Sequence, residues 1–320
     1  MKSIAITIIG ISCALLTLSC VEEEKKETDD LSIAPTVIEV TAKYNPESNQ
    51  HLFETDTDTV PAGWTTFRLV NASPMLHFLF LDHLPGDRTS KQLLSEISPI
   101  FQEAADLIAA GKVDEGMGKF TELPEWFNDL IFRGGPGFVS PGRTTEATLY
   151  LEPGNYVMEC YIKTADGVFH WNLGMYKDLR VTEETSSARP PENPTIEITI
   201  TDEGLEVVGD VVAGKHLVAV HFEQETPALV AKDVHVVRLD EGVNIEEVAF
   251  WMDFLQPEGQ ISTAENPAPA LFLGGVHEMP KGNTAYFKVD LAPGDYAWIS
   301  EQPAADAMYS EFTVVAETNE

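Results

Sequence analysis

Four side chains in this 320-residue chain have the types and the order to hold a soft metal: His77, Cys160, His170 and Met175. Asn71 opens a turn, and His77 follows it at the start of the apolar run Phe78-Leu79-Phe80-Leu81. Far downstream, Pro153-Gly154-Asn155-Tyr156-Val157-Met158-Glu159-Cys160 reads as a turn and then a strand that ends on the thiol. His170 comes ten residues later and Met175 five after that, preceded by Gly174. Two imidazoles, one thiolate and one thioether form the donor set of a blue-copper site, with His2Cys in a roughly trigonal plane and a weak axial Met. One loop then supplies three donors, and a neighbouring strand supplies the fourth.

Each residue alone has a blander reading. A lone His on an apolar strand is more often a hydrogen-bonded core residue, Met fills core gaps readily, and a single Cys behaves as a small buried hydrophobe. Their joint order resembles that of the cupredoxins, the β-sandwich family of plastocyanin and azurin. That family places Asn and a short turn before the first His, then Gly-x-Tyr-x-x-x-Cys, then His-x4-Met. Here those pieces are Asn71 to His77, Gly154 to Cys160, and His170-Trp171-Asn172-Leu173-Gly174-Met175. The resemblance covers residues 36–182 and, more weakly, 195–316. It implies one type 1 copper site at His77, Cys160, His170 and Met175. One departure is the Cys160-to-His170 loop, which is longer than in plastocyanin and approaches that of the copper nitrite reductases.

The elements that must position these donors are short β-runs, and they occur twice. Thr36-Val37-Ile38-Glu39-Val40 returns as Thr195-Ile196-Glu197-Ile198. His77 is matched to His235, Gly134-Gly135 to Gly274-Gly275, and Leu151-Glu152-Pro153-Gly154 to Leu291-Ala292-Pro293-Gly294. Landmarks in the same order describe two tandem domains rather than a solenoid. Period-two runs bounded by Gly, Pro and Asn indicate all-β, antiparallel sandwiches, and the resemblance implies two tandem Greek-key sandwiches, 36–182 and 195–316, joined by a Pro/Ser/Glu linker at 183–194. The exception is Thr89 to Phe132, where Leu93, Ile97, Phe101, Ala104 and Ile108 recur at helical spacing. Thr89 and Gln92 offer a capping box and Gly111 a stop, so a helical excursion is inserted into the first sandwich. A shorter version is expected around Ile245 to Leu255.

The second repeat serves as an internal control. On the repeat match Ser300 replaces Cys160, no His follows it, and Met308 lacks a His-x4-Met partner. A hydroxyl is a poor copper ligand, so this domain is expected to be metal-free. Its other histidines, His216, His221 and His277, show no ligand spacing.

The N-terminus reads as an address. Lys2 is followed by the apolar run Ile4 to Leu18, a length suited to a signal-peptide core and short for a membrane span. Leu16-Thr17-Leu18-Ser19-Cys20 resembles a bacterial lipobox, with Thr17 where Leu or Val is usual, which implies a signal peptide at 1–19 and lipidation of Cys20. Cys13 is a poorer candidate because apolar residues continue past it, and an ordinary secretory signal is the competing reading. The run Val21-Glu22-Glu23-Glu24-Lys25-Lys26-Glu27 makes residues 20–35 an acidic tether. A lipid-anchored protein of the bacterial cell envelope is expected, facing either the periplasm or the outside.

Charge narrows the partners. With 20 Lys+Arg against 52 Asp+Glu, the formal net charge is −32, which excludes phosphate-led binding to nucleic acid and would steer a basic redox partner such as a cytochrome. Multicopper oxidases and nitrite reductases, which also join such domains, place a His beside the type 1 Cys, whereas Cys160 stands between Glu159 and Tyr161. His-x-His pairs are absent from the chain, as are the usual hydrolase and phosphate-loop motifs. The expectation is a one-electron carrier rather than an enzyme. The other reading is a non-redox envelope binding or assembly protein whose metal is structural, stored or missing.

Overall fold

In the computed structural model, residues 34–223, 232–301 and 308–315 are described, and their alternating apolar and polar runs become strands. The leader 1–19, Cys20 and all but the end of the 20–35 tether lie outside the described residues. The first half contains β1 (Thr36–Asn45), β2 (Gln50–Glu54), β3 (Thr59–Asn71), β4 (Phe80–Leu84), β5 (Ile131–Phe132), β6 (Thr144–Leu151), β7 (Gly154–Glu159) and β8 (Tyr176–Thr185). The second contains β9 (Ile196–Ile200), β10 (Leu205–Val208), β11 (Gly214–Phe222), β12 (Val234–Leu239), β13 (Leu271–Val276), β14 (Thr284–Leu291), β15 (Gly294–Ile299) and β16 (Tyr309–Val314).

The halves pair alike. β1 runs parallel to β3 as β9 does to β11, and β3 is antiparallel to β6 as β11 is to β14. In the opposing layer β4 pairs with β7 and β12 with β15. Each half is thus a two-layer β-sandwich with non-sequential strand neighbours, as the period-two runs imply. The first residues of β3, Thr59 to Ala62, cross over to pair with β8 and tie the two layers of the first half together. The halves join through β6 and β14, where Ala147 pairs with Phe287. These are equivalent positions of the two repeats, so the junction has a local twofold. Of the segment read as a linker, Glu183 to Thr185 complete β8, and the rest carries no strand up to Ile196.

Strand parity decides what reaches each face. From β4, β7 and the residues that adjoin them, Leu79, Leu81, Met158 and Cys160 enter the sandwich core. Leu84 and Val157 belong to a second apolar cluster on the outer face, with Leu93, Ile97, Trp126 and Trp171. β7 is therefore buried on both sides from Tyr156 to Glu159, which an edge-exposed antiparallel strand is not.

The outer cover is the helical insertion. Thr89 caps α1 (Ser90–Gln92) in a reciprocal capping box with Gln92, worth about 1 kcal/mol. A π-turn over Leu93–Ile97 leads into α2 (Ser98–Ala109), whose Ala104 and Ile108 are buried, and then α3 (Val113–Lys119). Among its described residues the second half carries only α4 (Ile245–Met252), capped by Asn244, whose side chain accepts from the Glu246 N–H. No helix among the described residues is long and apolar enough to cross a membrane.

Candidate metal centre

The Asn71 turn fixes the approach to His77. Asn71 donates its side-chain amide to the carbonyls of Met75 (2.8 Å) and Val139 (2.9 Å), and its oxygen accepts from the Ser73 N–H. His77 then exchanges backbone hydrogen bonds with Val139, which turns its ring into the core. There its Nδ1 lies 3.7 Å from the sulfur of Cys160.

The loop after Cys160 closes on itself through the backbone. The His170 N–H donates to Ile162 O (2.8 Å), the Met175 N–H to His170 O (3.0 Å), and the Cys160 N–H to Met175 O (3.3 Å). His170 opens a 3-10 turn, His170–Leu173, that ends on Gly174 at φ +104°, a left-handed position suited to glycine. His77, Cys160, His170 and Met175 are all fully buried. The rings of His77 and His170 stand 5.0 Å apart at 55°. The structure thus brings His77, Cys160 and His170 together, and the loop ties the Met175 backbone to both Cys160 and His170.

Those groups have a donor capacity that the protein leaves unused. His77 Nε2 and both ring nitrogens of His170 are buried without a hydrogen-bond partner. Buried polar atoms are nearly always satisfied, so the two orphaned nitrogens of His170, with His77 Nδ1 held against the Cys160 thiol, fit a ligand role. Burial drives the His77 and His170 pKa values well below the usual imidazole range, with neighbouring imidazoles adding to the effect. Both rings therefore offer lone pairs at neutral pH. Burial also pushes the Cys160 thiol up to about 12, so a metal must displace its proton. The residues fit a soft, thiophilic ion such as copper.

A third imidazole, absent from the motif, joins them. His51 on β2 points inward, in step with Phe53, and its Nδ1 is also unpartnered. One nitrogen from each of His51, His77 and His170 lies within 4.8 Å of the others. Yet His51 stacks on His170 at 3.7 Å and 19°, and nearly parallel rings aim their in-plane lone pairs side by side rather than at one point. We read His51 as the cover of His170 and not as a ligand. Only the alternation His51-x-Phe53 in the sequence marked it as inward-facing.

The second half differs from the sequence reading. His235 pairs with Ile299, whereas it is Phe80 that pairs with Glu159, the repeat equivalent of Ile299. His235 therefore occupies the place of Phe80, three residues out of step with the repeat match, and is not the counterpart of His77. A shared His-x3-Leu pattern had aligned two strands that the folded register does not align. His277, read as ordinary, is brought to His235 as well, with ring centroids 5.0 Å apart.

Asp233, His235, His277 and Glu301 form a fully buried group whose donor atoms lie within 4.8 Å of one another. Asp233 and His235 are satisfied within the protein, whereas His277 Nε2 is buried without a hydrogen-bond partner. The Phe138 N–H donates to His235 Nδ1 (3.2 Å), which assigns the ring proton to Nε2, and Nε2 donates to Asp233 Oδ2 (2.8 Å). The other Asp233 oxygen accepts from Ser300 Oγ (2.9 Å) and the Glu301 N–H (2.7 Å). Burial opposes ionisation of Asp233, but His235 and His277 outweigh it and hold the carboxyl well below the usual range. A carboxylate saturated by four protein groups is an electrostatic lock rather than an open ligand. His216 and His221 sit elsewhere, hydrogen-bonded to Val212 and to Thr284.

No family model and no curated protein matches the chain. Among solved structures it is similar to a multicopper oxidase, at 12% identity over 87% of this chain and 88% of that one, with a TM-score of 0.25. It is similar to auracyanin A, a blue copper protein from the green thermophilic photosynthetic bacterium Chloroflexus aurantiacus, at 20% identity, with 46% of this chain and 99% of that one covered and a TM-score of 0.29. A copper-containing nitrite reductase from Thermus scotoductus SA-01 is similar at 12% identity, covering 88% and 62% of the two chains, with a TM-score of 0.24. Overlap this loose carries no weight for the site. The tandem two-layer β-sandwich architecture rests on the matched strand pairings of the two halves.

Proposed function

We propose that the chain holds one copper ion at His77, Cys160, His170 and Met175 and serves as a one-electron carrier, tethered in a bacterial envelope through lipidated Cys20. The observation that carries this reading is His77 Nδ1 set against the Cys160 thiol, with both ring nitrogens of the neighbouring His170 orphaned in the same apolar core. The ion would supply one-electron exchange between two oxidation states. The chain's own part is to keep both imidazoles unprotonated, to exclude water, and to lock three donors through the backbone bonds of the 160–175 loop. A thiolate and a thioether favour the softer, reduced ion, while the imidazoles serve the oxidised one. The acidic surface would draw a basic partner such as a cytochrome. Neither the neighbours of Cys160 nor the rest of the sequence provides a second copper centre of the oxidase or reductase kind, so a non-enzymatic carrier is the simpler reading.

Copper titration of the purified protein tests it. An intense thiolate-to-copper absorption in the visible should saturate at one equivalent and vanish in Cys160→Ser. Copper uptake without that band would overturn the reading. The other reading is a non-redox envelope binding or assembly protein whose metal is structural, stored or missing. A reversible midpoint potential and rapid exchange with a cytochrome separate the carrier from that alternative.

A further inference from the structure

Behind the metal-site strand lies a cavity that the carrier reading leaves unused. It is bounded by the outer face of β4 and β7, the helical insertion and the second half of the chain, and has 70 Å³ of room for water centres. One water needs about 10–15 Å³ on that measure, so the space suits a small organic molecule. Its walls are mainly apolar and include Phe101, Phe127, Phe169 and Trp171. Among the described residues that line it are four carboxyl groups, Asp82, Glu159, Glu278 and Glu301, and no Lys, Arg or His.

Two of the four carboxyls are engaged by the protein. Glu301 accepts from the Tyr161 hydroxyl at 3.2 Å, and Glu278 accepts from the Lys232 backbone. Asp82 and Glu159 differ. They share one hydrogen bond with each other across the β4–β7 pair, yet Asp82 Oδ1 and Glu159 Oε2 remain buried without a partner. The two residues are only 2% and 3% exposed. Buried acceptor oxygens call for donor hydrogens, and a cationic donor would let carboxyls that no lining basic side chain pairs give up their protons. Aromatic faces complement the same charge through their quadrupoles.

We propose that this cavity binds a small protonated primary amine, with its ammonium group on Asp82 and Glu159 and its apolar body against the aromatic wall. A primary ammonium has three N–H donors, enough to satisfy both orphaned oxygens. The site is separate from the metal donors, although it shares two chain segments with them. Glu159 and Tyr161 flank Cys160, and Phe169 and Trp171 flank His170, each with its side chain turned to the cavity. It needs no metal and stands whether or not the carrier reading does.

Calorimetric titration of the metal-free full-length chain with butylammonium, and in parallel with 1-butanol, tests the proposal. Butylammonium should bind at least about tenfold tighter than the alcohol of the same shape. The double variant Asp82→Asn/Glu159→Gln should lose that preference while keeping its circular dichroism spectrum. Equal affinity for amine and alcohol, or no heat from the amine, would overturn the proposal without recourse to any variant. Displacement of butylammonium by an equal concentration of Mn²⁺ would overturn it in favour of a metal cation.

Discussion

His51 lies face to face on His170, 3.7 Å ring to ring, and the two belong to strands and loops that no sequence motif connects. The contact leaves His170 fully buried and stands at one flank of the proposed copper site. Removing the cover should open the site without removing a donor. His51→Ala is therefore expected to keep a stoichiometry of one copper and a thiolate band, while a chelator strips the metal about tenfold or more faster. Loss of the band itself would make His51 a ligand. Stopped-flow chelation followed at the thiolate absorption distinguishes the two.

Asp82 supplies a pH prediction. Burial pushes its carboxyl up to about 7 from the usual 3.8, with the Glu159 hydrogen bond opposing the shift. The folded chain then keeps a proton that the unfolded chain releases, so stability from this group is full below about pH 4 and falls as pH rises towards 7. Each unit across that window costs up to about 1.4 kcal/mol. The buried imidazoles of His51 and His277, lowered to about 4, act in the opposite direction between there and the usual 6.5. Comparing wild type with Asp82→Asn cancels the histidines. The variant should gain on wild type steadily from pH 4 to pH 7 in urea melts, and a constant difference would contradict the assignment.

The β-sandwich halves, the helical insertion and the thiol-imidazole loop were legible because each has a local signature. Leu93, Ile97, Ala104 and Ile108 keep helical spacing, and Cys160, His170 and Met175 lie within one loop. His51 was not legible, because it reaches the site from a hairpin across the sandwich and its only mark is alternation with Phe53. His235 was misplaced because strand register is set by pairing and by the close approach of Gly275 to Val234, neither of which a His-x3-Leu match encodes. The carboxyl-lined cavity has no sequence signature for a related reason. Asp82 and Glu159 sit on separate strands, Glu278 and Glu301 belong to the other half, and only the fold brings all four to one wall.

The Asp233–His235 pair should act as a lock. His235→Ala removes the N–H donor to the buried Asp233 Oδ2 and is expected to cost about 3–5 kcal/mol in a urea melt. Combining it with Asp233→Asn should return part of that loss, because the neutral amide no longer needs the missing partner. Copper stoichiometry should stay at one in both variants. A fall in metal binding on either substitution would show a second metal site at this cluster.

Two glycines of α3 should respond in opposite directions to the same substitution. A Cβ on Gly116 would lie 2.6 Å from Ile108 Cγ1 and 2.8 Å from the Ala104 carbonyl, so α3 packs on α2 through a contact that only glycine permits. Gly116→Ala must push the two helices apart and is expected to destabilise by about 1–3 kcal/mol. A Cβ on Gly118 meets nothing within 4 Å, and the helix backbone there suits alanine. Gly118→Ala should therefore stabilise by up to about 1 kcal/mol through helix propensity alone. Phe101 and Ile97 of the same insertion line the carboxyl cavity, so loosening by Gly116→Ala should also weaken butylammonium binding, whereas Gly118→Ala should leave it unchanged. Thermal melts and calorimetry on the two variants together check whether the α2–α3 contact holds the cavity wall in place.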